Sequence, residues 1–248
     1  MNELEKIKSE NDKLKEIDEN KSELISISAH QLRTSLSALK WTLKMILDKE
    51  LGEINEEQKN YIEKPISSND RSIVLVNYLL TFNHSDDLSY VSKLKEINIV
   101  SVFEKVSADF IAELKNKQIE LIFNKKEENI PNINCDEPMI MMVLQNLIEN
   151  AIKYSPNKSR ITISINYNSD NNNIELSFHD EGIGIKKEDQ IKIFNKFFRA
   201  PNAIEKETIG SGLGLFITKN IVEKHNGKIW FESLPESGTT FFVTLPIH

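Results

Sequence analysis

Between Leu4 and about Asp48 the chain contains neither proline nor glycine and is rich in residues that favour helix, which predicts one very long helix. Apolar positions at Ile25, Ala29, Leu32, Leu36, Leu39, Leu43 and Ile46 alternate steps of four and three, the seam of a coiled coil or helical bundle. Leu4, Ile7, Asn11 and Leu14 form a similar, weaker seam. From Leu14 to Ile25 the step is eleven residues, a heptad plus four. Such a stutter locally changes supercoiling, so it either carries a twist toward residue 30 or reflects ordinary fraying at a chain end.

After a loop containing Gly52, the run Asn55-Glu56-Glu57-Gln58 resembles a capping box that opens a second helix. Its seam is Ile62, Ile66, Asn69, Ile73, Val76 and Leu80, and Pro65 is expected to kink it early. Two long helices joined by a short loop make an antiparallel hairpin. Two exposed seams then invite a second hairpin to complete a dimeric four-helix bundle. Residues His84 to about Lys95 are polar and read as a linker.

Beyond the linker the periodicity changes to mixed α/β. Strands are expected at Ile97–Ile99, Glu120–Asn124, Arg160–Tyr167, Ile174–His179, Lys228–Glu232 and Thr239–Thr244, and helices near Val102–Leu114, Pro138–Tyr154 and Leu213–Lys224. Asp170–Asn173 has the composition of a hairpin turn. The expected architecture is therefore α+β and multidomain, a helical hairpin followed by a mixed sheet covered by helices on one face.

Composition narrows the function. With 248 residues, two domains are a fair starting expectation. The net charge of −7 and the lack of a concentrated Lys/Arg stripe argue against nucleic acid as a ligand, so any phosphate binding is local. Cys135 is the only cysteine, which excludes an internal disulfide and points to a reducing cytoplasm. No apolar run approaches the ~20 residues needed to span a bilayer. The chain is expected to be cytoplasmic, either in its own right or as the cytoplasmic part of a longer membrane-anchored sensor.

Four segments carry candidate chemistry. In Ser28–Leu36, placing Ala29 and Leu32 on the seam turns His30 and Thr34 outward, one turn apart. A neutral imidazole there offers a ring lone pair for nucleophilic attack, although a helical histidine taken alone is more often an ordinary surface residue. In Gln145–Tyr154, Asn146, Asn150, Lys153 and Tyr154 share one helix face while Leu147, Ile148 and Ile152 face a core. Amide oxygens suit Mg²⁺, Lys153 can meet phosphate and Tyr154 can flank a base, against the plainer reading of an amphipathic helix.

Asp180-Glu181-Gly182-Ile183-Gly184 closes a strand, and a carboxylate there accepts from the exocyclic amine of adenine but rejects the O6 of guanine. Gly182 and Gly184 allow backbone to pass close to a nucleotide, though the string is also compatible with a simple turn. Gly210-Ser211-Gly212-Leu213-Gly214 leads into a helix, where backbone N–H groups and the helix dipole favour phosphate. Its spacing fits neither a Walker A loop nor a dinucleotide fingerprint. Between these two glycine segments, Lys186 to Ile209 is long enough for a lid. Its aromatics, Phe194, Phe197 and Phe198, are expected to pack against the core, and Arg199 is a candidate phosphate contact. His179 should point away from Asp180, His225 should belong to a helix ending, and His84 and His248 read as surface residues.

Together these segments resemble the H, N, G1 and G2 boxes of sensor histidine kinases of the HisKA type, and Phe194-Asn195-Lys196-Phe197-Phe198-Arg199 is similar to their F box. The resemblance runs from about residue 22 onward. It implies a dimerisation and histidine phosphotransfer hairpin over 22–86 and an ATP-binding domain over 96–248 with the α/β sandwich shared by gyrase, Hsp90 and MutL proteins; the seam before the hairpin is expected to form a coiled-coil signalling helix over 1–21, and the polar stretch a linker over 87–95. His30 is then the phosphoacceptor, Gln31 and Thr34 complete the candidate catalytic set, and Asn150 is the Mg²⁺ ligand. Asn146, Lys153, Arg199 and the Gly210, Gly212, Leu213 and Gly214 loop lie near the phosphates, with Tyr154, Asp180, Gly182 and Gly184 around the base. The implied cofactors are ATP and Mg²⁺, and the implied partners are a second copy of the chain and the receiver domain of a response regulator.

Two positions depart from the family's pattern. The residue after the histidine is commonly Glu or Asp and accepts the imidazole proton, whereas Gln31 cannot act as a base at neutral pH. Ser35 stands where the family usually has a proline that bends the helix, so less bend is expected near His30. Thr34 matches the position used, with the residue after the histidine, to position water when dephosphorylating a partner. The rival readings are an ATP-driven machine or serine kinase built on the same nucleotide fold, and a degenerate kinase acting as a dimeric scaffold.

Overall fold

The structure is a computed structural model that describes residues 27–59, 61, 62, 65, 66, 69, 72, 73, 76, 94–127, 129–208 and 210–247. The expected signalling helix over 1–21, Ile25, Leu80, most of the linker, His84, Ile209 and His248 lie outside these residues. The chain divides into two compact units, Met1–Tyr90 and Val91–His248.

In the first unit, helix α1 runs over residues 27–47, and helix α2 opens at residue 56 and is described at intervals to residue 76. The capping box is formed: Gln58 N donates to Asn55 Oδ1 at 2.8 Å and Asn55 N donates to Gln58 Oε1 at 2.9 Å. The α1 seam splits into two lines. Ala29 is buried and Leu36 and Leu43 are half-buried, whereas Leu32 and Leu39, one heptad apart, are 53% and 48% exposed. Asn69, only 4% exposed on the α2 seam, donates from Nδ2 to the carbonyl of Leu36 at 2.8 Å. That bond ties the two helices together at a buried polar point.

The second unit contains β1 (Lys95–Ile97), α3 (Ile99–Ala108), α4 (Ile111–Lys117), β2 (Glu120–Lys125), β3 (Ile133–Cys135), α5 (Glu137–Tyr154), β4 (Arg160–Asn168), β5 (Asn173–Asp180), α6 (Lys187–Gln190), α7 (Pro201–Lys206), α8 (Gly214–Lys224), β6 (Lys228–Ser233) and β7 (Thr239–Pro246). The main sheet has the order β2-β4-β5-β7-β6; β2 runs parallel to β4 and the other pairs are antiparallel. β1 and β3 form a separate two-stranded ribbon.

Alternation explains the layering. Ile161, Ile163 and Ile165 of β4, Ile174, Leu176 and Phe178 of β5, and Phe241, Val243 and Leu245 of β7 turn to one face and are buried. Against them pack Leu144, Leu147, Ile148 and Ile152 of α5 and Ile217, Ile221 and Val222 of α8. Each such side chain contributes about 1.5–3 kcal/mol on burial, enough to hold a helix whose other face is polar. The mixed sheet with helices on one face is thus as expected.

Several local expectations differ. The strand expected at Ile97–Ile99 ends at Ile97, because Asn98 caps α3 by accepting from Ser101 N at 3.0 Å. The helix expected across Val102–Leu114 is two helices, since the chain turns at Asp109 and Phe110, with Phe110 buried at the turn. The hairpin turn begins earlier than Asp170: Asn168 Oδ1 accepts from the N–H groups of Asp170 and Asn171, both at 3.1 Å. The strand β3 and the short helices α6 and α7 were not expected.

Candidate active site

On the hairpin, His30 is exposed immediately after buried Ala29. Thr34, one turn on, donates its hydroxyl to the His30 carbonyl at 3.1 Å, so the two residues share a face as the periodicity requires. Gln31 is exposed beside them. Ser35 donates to the Gln31 carbonyl at 3.1 Å, and α1 passes through this position without interruption. A proline there would have left that carbonyl without its helical partner.

In the second unit the chemistry gathers around α5 and α8. Asp136 caps the start of α5 by accepting from Met139 N at 3.2 Å, with Pro138 in the first turn where a missing N–H costs nothing. The backbone N–H of Asp136 donates to His225 Nε2 at 3.0 Å, while His225 Nδ1 bonds the Ile221 carbonyl at 2.8 Å at the end of α8. The lone pair on Nε2 requires the proton on Nδ1, so a neutral imidazole joins the two helix ends. Deeper along the pair, Asn146 Nδ2 donates to Thr218 Oγ1 at 2.8 Å. A Cβ on Gly214 would overlap Asn146 Oδ1, so any larger residue at the start of α8 would displace the Asn146 side chain.

Asn150, Lys153 and Tyr154 continue along α5, all half-buried. Lys153 Nζ lies 6.0 Å from the Tyr154 ring centroid. Burial raises the Tyr154 hydroxyl above its usual pKa, and the charge and hydrogen bond of Arg199 oppose that shift. The last carbonyls of α5 are held by a residue outside the expected set: Lys117 Nζ donates to Ile152 O at 2.7 Å and to Lys153 O at 3.2 Å.

Asp180 ends β5 and is 6% exposed, with Oδ1 accepting from Gly182 N at 2.9 Å. Burial pushes its carboxyl up to about 7, against the pull of the Gly182 and Thr239 backbone N–H groups. Added Cβ at Gly182 would come within 2.9 Å of the Tyr154 carbonyl oxygen, so this glycine brings the end of β5 against the end of α5. Gly184 lies against the backbone of Leu234 and Pro235. His179 is exposed on the opposite face, as expected, with Nδ1 2.9 Å from Thr240 Oγ1.

The segment between the two glycine strings, expected to act as a lid, contains α6 and α7. Phe194 packs inward, 5.9 Å from the Phe231 ring, as expected of the lid aromatics, but Phe197 is 61% exposed. Its backbone instead lies against Gly212, which leaves its ring outside the core. Arg199 does not extend into open space. It donates to the carbonyls of Thr208 at 3.0 Å, Ala203 at 3.4 Å, Gly210 at 3.5 Å and Glu207, which collects the end of α7 and the start of the glycine loop around one guanidinium. A Cβ on Gly210 would be 3.3 Å from Arg199 Cζ and 3.5 Å from Lys153 Nζ. Leu213 is buried as the residue before α8.

The second unit thus assembles Asn146, Lys153, Tyr154, Asp180, Gly182, Arg199, Gly210 and Gly214 through direct contacts, from segments up to 68 residues apart between Asn146 and Gly214. Two cations converge beside a loop entering a helix N-terminus, which suits a polyphosphate. Neutral amide oxygens suit a hard divalent cation, and a buried carboxylate suits an amine-bearing base. Thr218 and Lys117, and the bond of His225 to Asp136, were what motif reading did not find, because each joins residues more than 30 apart. Among the described residues no helix is long and apolar enough to cross a membrane.

Both units match known protein families. Residues 135–248 match the family described as histidine kinase-, DNA gyrase B- and HSP90-like ATPase, and residues 20–88 match the His Kinase A (phospho-acceptor) domain. The chain is 33% identical over 230 residues to sensor histidine kinase WalK of Bacillus subtilis, covering 93% of this chain and 37% of WalK. It is 28% identical to sensor-like histidine kinase SenX3 of Mycolicibacterium smegmatis, covering 88% of this chain and 55% of SenX3. The catalytic domain of histidine kinase ThkA superposes with a TM-score of 0.55 at 28% identity, covering 62% of this chain and 96% of that domain. The chain therefore spans about a third to a half of the length of these two curated relatives.

Proposed function

The chain belongs to the sensor histidine kinases, and from that membership we propose that it moves the γ-phosphoryl group of ATP onto His30 and passes it to an aspartate of a response regulator receiver domain. The observation that carries the reading is the coexistence, in one chain, of a solvent-facing His30 on a helical hairpin and an α5–α8 cradle that brings a buried carboxylate and two cations to the end of α5. We assign 22–86 to the phosphotransfer hairpin and 96–248 to ATP binding, with 1–21 as a signalling helix and 87–95 as a linker.

In this reading Asp180 accepts from the adenine amino group, with Gly182 and Gly184 giving the base room and Tyr154 alongside it. Lys153, Arg199 and the backbone of Gly210, Gly212, Leu213 and Gly214 offset phosphate charge. Arg199 reaches the nucleotide by exchanging lid carbonyls for phosphate oxygens. Asn150 and Asn146 would present amide oxygen to Mg²⁺ accompanying the nucleotide, and the ion would supply neutralisation of phosphate charge. A ring nitrogen of His30 attacks the γ-phosphorus in line, the bond to the bridging oxygen breaks and ADP departs. The imidazole then loses its remaining ring proton. Gln31 cannot take that proton, so solvent or another carboxylate must, and Thr34 is placed to position water if the receiver is dephosphorylated.

Leu32 and Leu39 support a homodimer, since a second hairpin covering that line would complete a four-helix core. The cytoplasm is the compartment that fits a nucleotide-dependent reaction and a single buried cysteine, Cys135, whose thiol burial pushes up to about 12. The test is direct. Purified protein given γ-labelled ATP and Mg²⁺ should acquire acid-labile, alkali-stable label that is lost in His30→Ala, while that variant still binds nucleotide. Steady ATP hydrolysis that survives His30→Ala, with no label on protein, would instead favour an ATP-driven machine on the same fold.

A further inference from the structure

We infer that Thr218 is a positioning residue of the nucleotide site, holding the Asn146 amide by its nitrogen and leaving its oxygen at the amino-terminal end of α8. The inference rests on the reading above that Asn146 stands beside the phosphates and their cation. Thr218 is 1% exposed, on the face of α8 that also carries Ile217, Ile221 and Val222. A hydroxyl on a buried helix face usually turns back onto its own helix. Here its oxygen instead accepts from Asn146 Nδ2 on α5, at 2.8 Å and 72 residues away in sequence.

An amide has a donor end and an acceptor end, and committing Nδ2 to Thr218 decides what the other end does. Asn146 Oδ1 is left against Gly214, in space that a Cβ on Gly214 would occupy. Gly214 is the first residue of α8, where backbone N–H groups face outward without helical partners. An oxygen presented there suits a hard cation or its bound water, whereas an NH₂ group would suit a phosphate oxygen. With Nδ2 held by Thr218, the Asn146 oxygen faces the cation side of the bound nucleotide rather than the phosphate side. Thr218 needs no contact with the nucleotide to do so.

Thr218→Val keeps volume and branching but removes the hydrogen-bonding oxygen; Thr218→Ser restores it. The dimeric full chain is titrated calorimetrically with the imidotriphosphate analogue of ATP, once with Mg²⁺ and once with chelator, alongside Asn150→Ala as a control on the site. The side-chain amide ¹H–¹⁵N pair of Asn146 gives a second readout that does not depend on affinity. Thr218→Val is expected to weaken binding about 3- to 10-fold with Mg²⁺ and much less without it, the range expected of one hydrogen bond. It should also shift the Asn146 amide pair, and Thr218→Ser should reverse both effects.

Equal weakening with and without Mg²⁺, an unmoved amide pair, or failure of the serine variant to rescue each overturns the inference. If Asn150→Ala loses Mg²⁺-dependent binding while Thr218→Val binds like the parent, the positioning role fails and the site assignment stands. If both variants bind like the parent, the site assignment itself fails.

Discussion

Lys117 and Ile152 meet at 2.7 Å, ammonium to carbonyl, across the gap between the end of α4 and the end of α5. The same ammonium reaches the Lys153 carbonyl at 3.2 Å, so one side chain caps the carboxyl end of the helix that bears Asn146, Asn150, Lys153 and Tyr154. A cation at that end also meets the negative pole of the helix dipole. Lys117→Met keeps most of the aliphatic stem and removes the charge. It should cost about 1–2 kcal/mol, lowering the melting temperature by roughly 2–4 °C per kcal/mol, read by calorimetry. An unchanged melting temperature would show that water replaces the cap at no cost.

Asp180 makes both stability and binding depend on pH, in opposite senses. Its carboxyl is raised from 3.8 to about 7, chiefly by burial. An acid raised on folding contributes stability that is full below its unfolded pKa and is lost as pH rises through the folded value. The nucleotide-free protein should therefore lose stability from this group between about pH 4 and 7, and Asp180→Asn should remove that component. The ionised carboxylate is the stronger acceptor for the adenine amine, so affinity for ADP should fall as pH drops below about 7. Calorimetric titrations on either side of neutrality measure the effect; a flat profile for the parent protein contradicts it.

Gln31 occupies the position of the usual proton acceptor. Gln31→Glu is expected to raise the initial rate of His30 labelling, because a carboxylate can take the ring proton that an amide cannot. Rapid-quench labelling at saturating ATP compares the two. A rate that is unchanged or lower means that proton removal does not limit the reaction.

Leu32 and Leu39 form an open apolar line one heptad apart. Replacing both with Glu should convert a dimer at micromolar concentration to monomer in sedimentation velocity, because each chain would bring two carboxylates to the seam. Far-UV circular dichroism controls for loss of the hairpin itself. A parent protein that sediments as a monomer at that concentration defeats the homodimer proposal outright.

What was legible from sequence was whatever repeats locally. The capping box at Asn55 and Gln58, the alternation of β4, β5 and β7 and the polar face of α5 all follow from side chains within a few residues of one another. The break between α3 and α4 escaped notice because Phe110 is apolar and in phase, and only its burial at the turn distinguishes it from a helical position. His225 was legible as a helix ending, but its second bond, to Asp136, joins residues 89 apart and leaves no local trace. Arg199 was expected as a candidate phosphate contact; that it rests on the carbonyls of Ala203, Glu207, Thr208 and Gly210 depends on where α7 stops, and α7 carries no pattern of its own. Leu32 shows the converse. The seam was expected to be one apolar line, yet Leu32 and Leu39 stay exposed, because periodicity does not say which positions a single hairpin covers.

The pairing of β5 with β7 bears on when the protein becomes competent. Asp180 lies opposite Thr239, so the strand that carries the carboxylate is an edge until the final stretch of the sheet is laid beside it. A nascent chain emerging from the ribosome has α5 and Asp180 long before it has β7. It should therefore be blind to the nucleotide until β7 has emerged, and a polypeptide truncated before Thr239 should expose an unpaired strand prone to sticking to its neighbours.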